Sequence, residues 1–280
     1  MGNRQFMPAK TDDAFGMGQS AASRDLYRTV IVTVLLGTSL IPGIQVRADE
    51  NDRLQQLFDA EWERTLAENP TFASDLGDRR YNNLWPDVSL PAKERAAEKT
   101  REILNALNAI QPGLLSEQNR LNYRLFRQQY ETDVAEQPFH LHLLPLNQRE
   151  GIQDESRLAD LLKFDSIRDY EDWIDRLNSF PTYMGQTMAL LKQGMRERMV
   201  HPRIVMQRVP AQIRKQLVDD PTESFYYKPF VRFTVELTAE QQGRLRTAAQ
   251  RAIRDRIIPS YRVFLKFFED EYLPACFEEV

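Results

Sequence analysis

His140, His142 and His201 are the three imidazoles of this 280-residue chain, and the first two stand two residues apart. In extended chain that spacing turns both rings to one side, as two ligands of a metal ion would be turned. The third ligand would have to be an Asp or Glu that no spacing singles out. The competing reading is a solvated pair, with Phe139, Leu141 and Leu143 packing inward, and the sequence favours it. A peptidase-type zinc helix needs His-Glu-x-x-His, two imidazoles one turn apart with a glutamate base between them. No histidine here is followed by Glu or by a second His four residues on. Nucleophilic chemistry has no firmer footing: there is no G-x-S-x-G elbow and no glycine-rich phosphate loop. Cys276, the single cysteine, lies near the end with no histidine beside it. One cysteine also excludes an internal disulfide. Arg79-Arg80 could hold an anionic group, though paired arginines in a loop more often serve salt bridges.

The elements that would position these residues are helical almost throughout. The pattern predicts a mainly α, multi-helix, orthogonal or bundle-like domain with one short extended segment near 138–146. Leu54, Leu57, Phe58, Trp62 and Leu66 form one apolar stripe, stopped at Asn69-Pro70. A loop follows from Gly77 to Pro91. Ser89 and Ser116 cap the next two helices, the second with Leu121, Leu125, Phe126 and Tyr130 inward. Phe139, Leu141 and Leu143 alternate with the two histidines, which gives the extended segment. Helices resume at Ser156–Phe164 and at Ser166–Phe180, where Ser166 and Asp169 form a capping box. Pro181 starts another, whose stripe of Met184, Met188, Leu191, Met195 and Met199 reads as core filler. Pro210 should kink or split the segment 205–217. The aromatic run 225–233 has no helical spacing and reads as a packed loop. Thr238 and Gln241 cap a long helix that Pro259 bends or ends. Tyr261, Phe264, Leu265, Phe268 and Tyr272 then line a last, strongly apolar helix.

Residues 1–48 read as an export signal. Arg24 and Arg28 precede an uncharged apolar run, 29–44, and Val46-Arg47-Ala48 resembles a signal-peptidase site. Met17 would give a more ordinary start. The run is short for a membrane span, so cleavage after Ala48 is expected, with an uncleaved anchor at 29–44 as the alternative. The protein would then work outside the cytoplasm. The segment before Asp49 holds five basic and three acidic residues, so the remaining 232 carry 32 basic and 38 acidic side chains. That acidic balance argues against nucleic acid as a partner.

Several segments together resemble a known family. They are Leu76-Gly77-Asp78-Arg79-Arg80-Tyr81-Asn82, Leu121-Asn122-Tyr123, Pro145-Leu146-Asn147-Gln148 and Arg208-Val209-Pro210-Ala211-Gln212-Ile213. Ile258-Pro259-Ser260-Tyr261 and Asp270-Glu271-Tyr272-Leu273-Pro274-Ala275 complete the set. Their order is similar to the N-terminal half of the bacterial proteins called domain of unknown function 885. The resemblance implies an exported helical protein, distantly similar to zinc-dependent peptidases whose His-Glu-x-x-His helix lies in the C-terminal half. No position here matches that motif, so no catalytic residue and no zinc are carried over; zinc belongs to full-length relatives. The resemblance marks Arg79, Arg80 and Asn147 as candidate binding residues, and a separately encoded C-terminal half as a candidate partner. A frameshift, an early stop or a split gene would produce such a chain. The rival reading is a stand-alone extracytoplasmic binding protein without catalysis. The aromatic last helix is expected to expose an apolar patch and to drive self-association.

Overall fold

The computed structural model describes residues 49–278, so the export segment 1–48 lies outside the described residues. Asp49 opens the first helix. Its carboxylate accepts the Asn51 amide, and Glu50 and Asp52 put negative charge against the positive end of the helix dipole. This helix, α1 (Glu50–Glu68), stops at Asn69, and Pro70 at once begins a short one, Pro70–Asp75. Ser89 and Ser116 accept the Ala92 and Asn119 amides and so start α2 (Leu90–Asn108) and α3 (Glu117–Glu136). These three helices enclose a small core of Leu54, Ile103, Leu107, Ile110, Tyr123 and Tyr130.

Two details of that bundle differ from the apolar stripes read in the sequence. Trp62 is 51 % exposed, with Phe72 edge-on to it at 6.3 Å. Glu61 holds the buried position beside it, accepting the Tyr130 hydroxyl at 2.5 Å and Arg64 at 2.7–3.1 Å. A carboxylate that charge-assisted donors satisfy can displace an apolar residue from a core. On α3, Leu121 and Leu125 face outward because Tyr123 and Tyr130 take the inner arc.

The extended segment near 138–146 is not found. Two 3-10 turns, Gln137–Phe139 and Leu141–Leu143, flank His140, whose φ of 48° lies in the left-handed region. That reversal breaks the alternation: Leu143 is buried while Phe139 is 63 % exposed. No β-sheet forms among the described residues; one isolated bridge joins Pro202 to Phe277.

The larger core surrounds α4 (Ile167–Glu197), which both arms of the Ser166/Asp169 capping box start. α4 runs 31 residues through Pro181 instead of restarting there. An internal proline costs about 3 kcal/mol. Leu177, Phe180, Met184 and Leu191 are all buried along one face, and each gains about 1.5–3 kcal/mol. Continuity of that face outweighs the proline. One turn ahead of it the Arg176 carbonyl accepts donors from outside the helix ladder, Trp85 Nε1 at 2.7 Å and Ser179 Oγ at 3.0 Å. The methionine stripe packs as core, with Met184 fully enclosed and Met188 and Met195 against it. Pro210 splits the next segment into Arg203–Met206 and Val209–Arg214. The aromatic loop holds short turns that bury Tyr226, Tyr227 and Phe230.

The Thr238/Gln241 capping box starts α5 (Ala239–Ala252). A π turn, Ile253–Ile257, carries it into α6 (Ile258–Phe267), and a second, Phe268–Tyr272, follows. Each π turn closes on the residue before a proline. Ile258 N–H donates to the Ile253 carbonyl ahead of Pro259, and Leu273 N–H to the Phe268 carbonyl ahead of Pro274. The helix therefore continues past both prolines. The exposed aromatic patch expected here is absent: Tyr261, Phe264, Phe267, Phe268 and Tyr272 are buried within the larger core. Only Phe277 and Val263 of this region remain notably exposed among the described residues.

Candidate functional site

The most concentrated buried polar chemistry lies where the loop before α2, the turn Ile152–Arg157, α4 and α6 converge. Arg176 is fully buried and in phase with Trp173, Leu177 and Phe180, so α4 drives a cation into the core. Its Nη2 donates to the Tyr81 carbonyl at 2.7 Å and to Ser74 Oγ at 3.0 Å. Its guanidinium carbon sits 5.5 Å from the Trp85 ring centroid. Nε and Nη1 make no hydrogen bond among the described residues. Burial lowers the Arg176 pKa to about 10, so the cation persists at neutral pH.

Tyr183 also stacks in parallel on Trp85 at 5.2 Å and donates to Glu155 Oε1 at 3.0 Å. Burial pushes the Glu155 carboxyl above its ordinary value, against the pull of Tyr183. Tyr226 and Tyr261 share a hydroxyl contact of 2.7 Å, and Tyr261 donates to the Ile152 carbonyl at 2.7 Å. Burial raises the pKa of Tyr183, Tyr226 and Tyr261, so all three phenols stay protonated. They act as donors, not as nucleophiles. The network ties six segments together, since Ser74 brings in the short helix Pro70–Asp75 and Tyr226 the aromatic loop, and no nucleophile–base pair appears in it.

The residues singled out from the sequence lie elsewhere. Arg79 bridges Asp165 and Asp169 at the start of α4. Arg80 pairs with Glu63 and Asp78, both at 2.6 Å, and its carbon lies 5.4 Å from the Tyr81 ring centroid. Asn147 Oδ1 accepts the Arg149 and Glu150 amides and fixes its own turn. Each is therefore engaged within the chain. The structure does bring His140 and His142 together, with ring centroids 5.8 Å apart, but across the left-handed turn and not along a strand. His140 Nδ1 meets Glu197 Oε2 at 2.6 Å. Burial first, then the neighbouring His140, hold the His142 pKa below its usual value. Among the described residues no group of three or more His, Cys, Asp or Glu is placed to hold a metal ion.

Sequence reasoning missed Arg176 and its phenolic neighbours. The available signal was an arginine at helical spacing inside the arc of Trp173, Leu177 and Phe180.

The family model of a bacterial protein of unknown function (DUF885) matches residues 70–279. The chain belongs to that family. No curated protein matches it. Among solved structures, one described as "the putative lipoprotein from Colwellia psychrerythraea" superposes with a TM-score of 0.72 at 14 % identity. The match covers 82 % of this chain and 43 % of that one. This chain thus spans less than half the length of that relative, and at such identity the likeness establishes the helical fold alone. No helix among the described residues is long and apolar enough to cross a membrane.

Proposed function

We propose that this chain is the exported, non-catalytic helical half of a zinc-peptidase-like protein, contributing structure and binding surface instead of chemistry. The observation that carries this reading is the half-length match to a longer solved relative. The polar network is in keeping with it, since its phenols are held protonated and its cation is enclosed. The apolar run 29–44 and the Ala48 site support an extracytoplasmic setting. A second reading, a stand-alone binding protein, draws on the burial of the aromatic C-terminal helix within this unit.

Affinity purification from the native host separates the two. A stoichiometric second polypeptide carrying His-Glu-x-x-His supports the first reading; recovery of the chain alone as a monomer supports the second. Peptide hydrolysis by the purified chain, with zinc retained through dialysis and lost on changing His140 and His142 to Ala, would overturn both. The mature terminus should be Asp49, as N-terminal sequencing would show.

A further inference from the structure

A groove of about 540 Å3 runs between α4 and α5 and ends on the first π turn. That volume lies within the range of small-ligand sites. Its floor is partly apolar, from Ile174 and Ala248, and its rim carries Arg244, Arg251 and Arg256. Asp255 and Arg256, both in the π turn, line the end of the groove.

The three cations are not equally engaged. Arg244 is paired with Glu171 at 2.7 Å. Asp255 is held chiefly by Arg254 at 2.9 Å, and Arg251 approaches it only to 3.7 Å. Arg256 makes no ion pair within 4 Å among the described residues. The groove thus keeps a positive excess on a chain whose net charge is −4. Gly243 leaves its wall open: a Cβ built there meets no atom within 4 Å.

We propose that this groove binds a small oxyanion, phosphate or carboxylate, carried on a compact apolar body, with Arg251 and Arg256 holding the anion. Planar guanidinium groups bind such oxyanions through paired, charge-assisted hydrogen bonds. Ile174 and Ala248 would receive the body. The groove shares no residue with the Arg176 network.

The test is calorimetric titration of the purified full chain with phenyl phosphate, benzoate and inorganic phosphate. The first two distinguish the oxyanion, and the third reports what the apolar floor contributes. Binding of at least one aromatic anion, tighter than inorganic phosphate, is expected. Changing Arg251 and Arg256 to Ala should weaken it at least about tenfold. Gly243→Leu should block it with every arginine in place, in a helix whose dichroism is unchanged. Asp255→Asn should tighten it by removing the competing carboxylate. Arg95→Ala, a remote exposed arginine, should leave it unaltered. Absence of binding by both aromatic anions would overturn the proposal. So would an affinity that the double Ala variant or Gly243→Leu leaves intact, or one that Asp255→Asn weakens.

Discussion

Trp85 fastens the loop before α2 to the main core, and its truncation should be among the costliest changes in the molecule. The indole is almost fully buried, donates to the Arg176 carbonyl at 2.7 Å, stacks on Tyr183 and meets the edge of Phe180 at 5.4 Å. It also lies under the Arg176 guanidinium. Trp85→Ala removes all of this and leaves a cavity, for which a loss of about 3–5 kcal/mol is expected. In a unit of this size each kcal/mol shifts the melting temperature by about 2–4 °C, so the midpoint should fall by about 6–20 °C. Trp85→Phe keeps a ring in the stack and loses the indole N–H. The Arg176 carbonyl still has Ser179 Oγ, so this variant should lose only about 1–2 kcal/mol. Urea unfolding followed by far-ultraviolet dichroism measures both. A loss below about 1 kcal/mol for Trp85→Ala, or equal losses for the two variants, would refute the anchoring argument.

Tyr130→Phe removes one donor from the buried Glu61 carboxylate and should cost about 1.5–3 kcal/mol in the same unfolding assay, because the acceptor is charged. Glu155 gives a pH dependence. Its carboxyl is raised by burial above the ordinary 4.5, so between those values the folded state holds more protons than the unfolded state. Stability should fall as pH rises from about 4.5 through the raised pKa, and Glu155→Gln should flatten that fall in thermal melts. Burial raises the Cys276 thiol to about 11, and its side chain is enclosed. It should react with a thiol-specific disulfide reagent at pH 8 far more slowly in native protein than in denaturant.

Caps and periodic faces carried most of the fold in the sequence. Ser89, Ser116, the Ser166/Asp169 box and the Thr238/Gln241 box each start the helix expected of them. The reason is local: a side-chain oxygen within three residues satisfies an otherwise unpaired amide, whatever the rest of the chain does. What could not be read depends on long-range contacts. Trp62 and Glu61 exchange places because Tyr130, 69 residues away, supplies the hydroxyl that makes a buried carboxylate tolerable. The alternation around His140 suggests a strand, but one left-handed residue turns it into two tight turns. Arg79, Arg80 and Asn147 are polar residues in loops, as a binding site would have them. Asn147 is taken up by the local 149–150 amides, whereas Asp165 and Asp169 for Arg79, and Glu63 for Arg80, become neighbours only on folding.

The prolines show how burial overrules a local signal and places charge in doing so. Pro259 and Pro274 lack the amide that a regular helix would use. The chain could end at Pro259, but Tyr261, Phe264, Phe268 and Tyr272 beyond it all face the core. At about 1.5–3 kcal/mol each, four buried aromatics outweigh one proline's cost of about 3 kcal/mol. Continuation is therefore favoured, provided the helix widens enough to admit the ring. The π turns supply that width, with bonds five residues long ending at Ile258 and Leu273. Asp255 and Arg256 of the first of them both line the groove. The turn that carries the aromatic face past Pro259 thus also supplies one end of the arginine groove.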